Sequence, residues 1–213
     1  MRQAEEQRKS LRSFIAQQVL QDPVLLSLVR LCGIRDLIAF ALGALVGDIN
    51  RFANPKKLVA YIGLNPAFDD SGEGKWSGGI AGHGRKDLRS LLIEAAHAIL
   101  RSTHPLAKWG KKLLARKGSV NLVAGAVARK LAVAIWYLLM GRWTPLEEVD
   151  DKLSAKVGKI ITAVGTTGLK QLGKVRKQLR EEVCQTLKTG REYILNPDKK
   201  FVPEPVPEPA AIT

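Results

Sequence analysis

The chain has 213 residues, 46% of them hydrophobic, which is enough to bury a substantial core and excludes wholesale disorder. Its formal net charge of +14 favours a polyanionic partner, with nucleic acid ahead of an anionic membrane surface. The two cysteines, Cys32 and Cys184, lie far apart and outside any CxxC or Cys/His spacing, so they predict buried or free thiols in a reducing compartment and no zinc site.

The opening MRQAEEQRKSLRSF has no apolar stretch ahead of a small-residue cleavage site, and the longest apolar run, Leu37 to Val46, is too short to span a bilayer. A cytoplasmic protein with no membrane partner is expected. Residues 1–20 place Leu11, Phe14, Ile15 and Val19 at helical spacing and predict the end of an amphipathic linker helix. Asp22-Pro23 supplies an N-cap and first helical position for Val24 to Leu31, and Gly33 separates that helix from an apolar one over Asp36 to Val46. Two short helices around a Gly turn make an αα-hairpin. Asn54-Pro55 repeats the cap for Lys56 to Ile62, which Gly63 stops.

Asp69 to Arg89, DDSGEGKWSGGIAGHGRKDLR, packs Gly72, Gly74, Gly78, Gly79, Gly82 and Gly84 between two apolar helical segments. So many glycines exclude a packed helix or strand and predict a loop shaped for close contact. Ser71, Ser77, Lys75, His83, Arg85 and Arg89 sit within it. A hydroxyl in a flexible frame beside cations is what serine-based phosphodiester chemistry needs. The residue types equally fit a surface turn braced by Asp69, Asp70 and Ser71. Trp76 is expected either to stack on a base or to pack the loop onto the core.

Leu88, Leu91, Leu92, Ala95, Ile99 and Leu100 then predict a core-facing helix whose first turn carries Arg85, Lys86 and Arg89, where the helix dipole also favours phosphate. Thr103 to Lys117 is a lysine-rich helix, and Val120 to Met140 is the longest apolar pattern, interrupted by Arg129-Lys130. Charges set in so apolar a helix need an anionic partner or a path to water. Glu147 to Asp151 is an acidic break, followed by basic amphipathic helices separated by a Gly165 to Gly168 turn, and FVPEPVPEPAAIT is Pro-rich and expected to be disordered. Residues 71–142 hold 13 Lys/Arg against 3 Asp/Glu, and residues 151–200 hold 12 against 5, so both segments are strongly basic while the remainder is slightly acidic.

YIGLNP at 61–66, Ser71-Gly72, Ile80 after a glycine, Gly84, Leu88-Arg89 and Ala128 to Leu131 occur in the order of a known signature. From about Leu28 to Met140 the chain resembles the C-terminal domain of the insertion-sequence 110/116/902 transposase family. The resemblance implies that Ser71 is a nucleophile that becomes joined covalently to DNA, with Ser77 as the fallback. It also implies a helix-hairpin-helix-like turn gripping phosphate at Gly33 and Arg35, although the family's Pro-Gly-Ile-Gly here reads Cys32-Gly33-Ile34-Arg35 and lacks the second glycine. Lys75, Arg85, Arg89, Arg129 and Lys130 complete the expected DNA-binding set. Family members carry a RuvC-like nuclease half, whose carboxylates hold a divalent metal such as Mg, and use a structured guide RNA. Asp22, Asp36 and Asp48 stand at caps and turns and do not supply that half.

The expected fold is mainly α. It has a helix-hairpin-helix-like N-terminal part, a Gly-rich loop inserted between helices and a basic helical C-terminal extension. The expected divisions are a linker-helix end at 1–20, a transposase-type domain at 21–146, a separable extension at 147–197 and a tail at 198–213. The expected function is the DNA-binding domain of a truncated transposase, or site-specific DNA recombinase, acting through Ser71. This chain is expected to bind no metal or cofactor, and a separate RuvC-like domain, a guide RNA or further copies of itself are its expected partners. The alternative is a non-enzymatic nucleic-acid-binding helical protein.

Overall fold

A computed structural model describes residues 2–71, 74–80, 83–142, 147–148 and 150–195, with backbone alone at 2, 67–71, 74–79, 150 and 189–195. In chain order the elements are α1 (Arg2–Gln21), α2 (Pro23–Leu28), α3 (Asp36–Val46), a 3-10 turn (Ile49–Arg51), α4 (Pro55–Ile62), β1 (Pro66–Ser71), β2 (Gly74–Ile80), α5 (Lys86–Leu100), α6 (Pro105–Lys117), α7 (Val120–Leu139), α8 (Asp150–Gln171) and α9 (Arg176–Leu195). The protein is mainly α, as the periodicities predict. The caps fall where the sequence puts them. Asp22 Oδ1 accepts the amides of Val24 and Leu25 at 2.8 and 3.2 Å, and Asn54 Oδ1 accepts that of Lys57 at 3.2 Å, each filling a donor the helix start cannot satisfy itself.

Helix α7 is the centre of the bundle. Val123, Val127, Leu131, Ile135 and Leu138 are buried together with a set of alanines that lets α2, α4, α5 and α6 pack around it. By length and composition α7 could cross a membrane, but most of it is buried in this core. Trp136 is buried as well, with its indole N–H donating to the Phe52 carbonyl at 2.9 Å.

The Gly-rich stretch departs from the expected loop. β1 and β2 form an antiparallel two-stranded ribbon with Ser71 opposite Gly74, Asp70 opposite Lys75 and Phe68 opposite Ser77, and a bulge between Pro66 and Phe68. Glycine weakens a strand through lost entropy and a missing side chain, yet an antiparallel ladder uses only backbone groups, which glycine retains. The expectation that glycines exclude a strand is therefore corrected.

Residues 147–195 pack on the same core. Leu153, Val157, Ile160, Ile161 and Val164 of α8 and Leu179, Val183 and Leu187 of α9 are buried with Ala16 and Val19 of α1. Ser13 Oγ donates to the Val164 carbonyl at 2.6 Å, and Arg30 Nη2 donates to that of Leu187 at 2.7 Å. Lys156 is buried, and its ammonium donates to the carbonyls of Val29 and Leu31 at 2.7 and 2.8 Å while pairing with Glu148 Oε2 at 2.9 Å. Burial pushes its pKa down and Glu148 opposes that shift. Backbone pairing adds Leu31 opposite Glu147, with the Glu148 amide donating to the Arg30 carbonyl at 2.8 Å. The helical break in α8 falls at Gly165, and α9 begins only at Arg176. In α1 only part of the expected apolar stripe is used: Ile15 and Val19 are buried, whereas Leu11 and Phe14 are 60% and 51% exposed.

Candidate functional site

Among the described glycines, the closest backbone approach is at the foot of the ribbon. Gly63 ends α4 with φ +81, and a Cβ there would stand 1.8 Å from the His83 carbonyl oxygen. Gly84, φ +94, would put a Cβ 2.6 Å from the Tyr61 carbonyl oxygen. No side chain fits either position, so the two glycines allow the chain entering β1 and the chain leaving β2 to touch through backbone. The Arg85 amide donates to the Tyr61 carbonyl at 2.9 Å and closes the contact.

Two of the sequence-predicted arginines brace this junction. Arg89 Nη1 donates to the His83 carbonyl at 3.0 Å and to that of Gly63 at 3.4 Å. Arg129, half-buried on α7, donates from Nε to the Leu64 carbonyl at 2.9 Å, and burial pushes its pKa down. Each guanidinium has five donors and, among the described residues, uses only part of them. Their hydrogen bonds also answer the question raised by a charge in an apolar helix, since protein carbonyls take part of the load.

Arg85 is committed differently. Its Nη2 pairs with Asp87 Oδ2 at 2.7 Å and its Nε donates to Oδ1 at 3.1 Å. Asp87 Oδ1 also accepts the Leu88 amide at 2.8 Å. The Arg85 hydrogen bond first and the Leu88 amide second lower the Asp87 pKa to about 2. An incoming phosphate at this helix start would compete with a carboxylate already in place. Beside it Gly84, Lys86 and Ser90 border a shallow open hollow.

The remaining candidates lie elsewhere. Ser71 and Lys75 occupy the far end of the ribbon, with Ser71 at the last register pair. At roughly 3.3 Å per residue, Pro66 to Ser71 spans about 17 Å, so the register does not bring Ser71 onto the arginines at the foot. The side chains of Ser71, Lys75, Trp76 and Ser77 lie outside the described residues. Gly33, φ +81, turns its α-carbon towards α5, where a Cβ would meet Ile99 Cγ1 at 2.9 Å and the Ala95 carbonyl oxygen at 3.1 Å. Leu31, Cys32 and Ile34 beside it are buried, and the Ile34 amide already donates to Leu31 at 3.1 Å. Gly33 and Arg35 of that turn are half-buried, and Arg35 lies near the Asp36 carboxylate at 3.8 Å. Lys130 stacks its ammonium 4.6 Å from the centre of the Trp109 ring. Among the described residues no three His, Cys, Asp or Glu side chains converge on a metal-sized space.

Sequence reading missed His104. It caps α6 by accepting the Leu106 amide on Nδ1 at 3.1 Å, and burial pushes its pKa below the usual 6.5. It also missed the Lys156–Glu148 pair. The signal for His104 was present, because a Pro follows it at the first helical position. No local signal marks Lys156, whose two carbonyl acceptors are more than 100 residues away.

Residues 27–109 match the family model described as Transposase IS116/IS110/IS902 family. The chain is 40% identical over 111 residues to the transposase for insertion sequence element IS1111A of Coxiella burnetii, an alignment covering 50% of this chain and 30% of that protein. It is 35% identical over 111 residues to a probable family 20 transposase of Pseudomonas aeruginosa, covering 50% and 32%. It is 30% identical over 138 residues to the transposase for insertion sequence element IS1328 of Yersinia enterocolitica, covering 63% and 40%. The chain thus spans about a third of the length of the curated relatives it matches. No solved structure matches it.

Proposed function

Starting from a chain that carries a Transposase IS116/IS110/IS902 family domain over residues 27–109, we propose that it is a DNA-binding part of a transposase and presents Ser71 as a nucleophile at the end of the β1–β2 ribbon. The observation that carries this reading is the locked foot. Two glycines that admit no Cβ and two arginines on backbone carbonyls fix the direction in which the ribbon leaves the helical core. A rigid base is what a reacting hydroxyl on a narrow ribbon needs if it is to meet one phosphodiester repeatedly. The excess of 13 Lys/Arg over 3 Asp/Glu in residues 71–142 supplies attraction to the backbone.

In the proposed step, Ser71 Oγ attacks the phosphorus of a DNA phosphodiester. A P–O bond to serine forms, a P–O bond to one deoxyribose oxygen breaks, and that oxygen leaves as a hydroxyl. The serine proton needs an acceptor, and the leaving oxygen needs a donor. Asp69 and Asp70 neighbour Ser71 in β1 and are the nearest carboxylates in sequence. The divalent metal that the family resemblance implies has no ligand set among the described residues, so no step is assigned to it. A separate carboxylate-bearing domain completes the site.

The experiment is adduct trapping on end-labelled duplex DNA, with the chain alone and with a RuvC-like nuclease domain added. The chain alone is expected to bind without cutting, and the mixture is expected to form a protein–DNA adduct that Ser71→Ala abolishes. An adduct that survives Ser71→Ala but disappears in Ser77→Ala moves the nucleophile to β2. A second reading, a non-enzymatic nucleic-acid-binding protein, is favoured by the engagement of Arg85, Arg89 and Arg129 with protein acceptors rather than around Ser71. It requires that no adduct form under any condition while duplex binding persists.

A further inference from the structure

Where α8 and α9 meet α1, an open groove of about 1110 Å³ is lined by Lys9 and Arg12 of α1, Lys159 of α8, and Arg176, Lys177 and Arg180 of α9. Arg35 also lines it. Of all these cations only Arg35 lies within residues 27–109, so the groove is built almost entirely by segments outside the family match. It is also remote from the ribbon, because Arg35 adjoins the Gly33 turn. That turn packs on Ala95 and Ile99, whereas Arg89, at the ribbon's foot, lies at the other end of α5. Six to ten residues of helix at 1.5 Å each separate the two by roughly 10–15 Å.

Three features say what this groove would hold. The first is charge without compensation. No Asp or Glu lines it, and among the described residues Lys9, Arg12, Lys159, Arg176 and Lys177 take part in no ion pair. Cations gathered along one trough repel one another, a cost that a bound polyanion removes. The second is the start of α9. This 20-residue helix begins at Arg176, so its first amides and the positive end of its dipole lie at the groove wall. The third is the uncharged lining, Ala155, Gly158, Ile161, Thr162, Ala163 and Val175, which includes no aromatic ring. Arg180 lies across it, its guanidinium carbon 3.8 Å from where a Cβ on Gly158 would be and its Nη2 donating to Ser154 Oγ at 3.0 Å. A single strand held through its bases needs stacking platforms, and none is present. A smooth basic trough instead suits the regularly spaced phosphates of a duplex.

We propose that the α1–α8–α9 groove is a second nucleic-acid site, which binds the phosphodiester backbone of a duplex independently of the ribbon. It goes beyond the Ser71 reading and does not depend on it. Phosphate contacts of this kind position a partner without reading its sequence. The site would therefore hold any duplex presented to it, DNA or RNA.

The test is equilibrium binding of the full chain to a 20-base-pair duplex, as DNA and as RNA, across a salt series. The wild type is compared with the Lys159→Gln/Arg176→Gln/Lys177→Gln variant and, in parallel, with Ser71→Ala/Lys75→Gln on the ribbon. All three groove side chains are exposed. The triple variant should therefore fold, and its thermal midpoint should hold or rise as repulsion is relieved. The expected result is weaker binding of at least one duplex type, with a log–log salt slope shallower by about 2–3, since each phosphate left without its cation lowers the slope by about 0.9 on B-DNA. The ribbon variant removes one cation and should lower that slope by no more than about 1. An unaltered slope and affinity in the groove variant overturn the proposal even if the ribbon variant fails to bind. Displacement of duplex by poly-glutamate or by phosphatidylserine vesicles, with their binding rather than duplex binding abolished in the groove variant, also overturns it and assigns the trough to an acidic protein or a membrane surface. Tighter binding of a single strand than of a duplex sinks the duplex assignment.

Discussion

The backbone of Gly63 approaches His83 so closely that a Cβ on Gly63 would lie 1.8 Å from the His83 carbonyl oxygen. This contact fastens the end of α4 to the segment that leaves β2, and Arg89 Nη1 sits over both residues. Gly63→Ala must then both adopt a left-handed backbone and displace the facing His83 backbone. We expect a loss of about 3 kcal/mol or more, read as a lowered midpoint in urea, together with protease cleavage within 66–80. Gly118 provides the comparison, because it has φ +69 but nothing within 4 Å of its would-be Cβ. Gly118→Ala should cost only the backbone preference, about 1 kcal/mol.

Arg89 and Arg129 were expected at phosphates and are found holding carbonyls. Arg89→Ala and Arg129→Ala should each destabilise the protein by about 1–3 kcal/mol, the range for charged hydrogen bonds partly screened by solvent. Hydrogen exchange should speed up at the ribbon's foot in both. If their spare donors also meet phosphate, the salt slope of duplex binding falls by about 1 per arginine. An unchanged slope with faster exchange assigns them wholly to bracing.

Lys156 and Glu148 form a buried pair in which the lysine also satisfies two carbonyls. Glu148→Gln leaves the ammonium without its counter-charge, and we expect it to cost about 3–5 kcal/mol. Lys156→Met should cost as much, because it strands the carboxylate and both carbonyls. The double variant Glu148→Leu/Lys156→Met should recover part of the loss, measured as a coupling energy in a double-mutant cycle.

His104 gives a pH dependence of known sign. Its Nδ1 accepts the Leu106 amide, so the folded state needs the neutral ring, and burial depresses its pKa below the usual 6.5. The unfolded chain therefore binds the proton more readily. The stability that depends on neutral His104 is present above about pH 6.5 and is lost as pH falls from there towards the folded pKa. His104→Asn keeps an N-cap acceptor without titrating, and should flatten this part of a stability–pH curve measured in urea.

Truncation after Arg142 tests the boundary drawn from the acidic stretch Glu147 to Asp151. It would uncover the face of α1 that packs on α8 and remove the donors on the carbonyls of Val29 and Leu31. We expect aggregation or a non-cooperative melt. A soluble, cooperatively melting 1–142 fragment would establish instead that the basic helices are separable.

The sequence by itself determined what is local. Asp22-Pro23 and Asn54-Pro55 set helix starts, Gly63 set a stop, and the spacing of Leu88, Leu92, Ala95 and Ile99 set the buried face of α5, because caps and periodicity act within a few residues. The ordered signature from Tyr61 to Arg89 likewise falls within residues 27–109, which match the transposase family model. Only the tertiary structure decided where charges go. Arg129 meets Leu64, 65 positions away, and Lys156 meets Val29, 127 positions away. The glycines of β1 and β2 became a ribbon because each strand supplied the other's backbone partners, which composition does not encode. The groove exists because α1 and α9 lie against the same helix, α8. Such pairings depend on which surfaces remain after the core closes, and a residue's own neighbours in sequence carry no record of them.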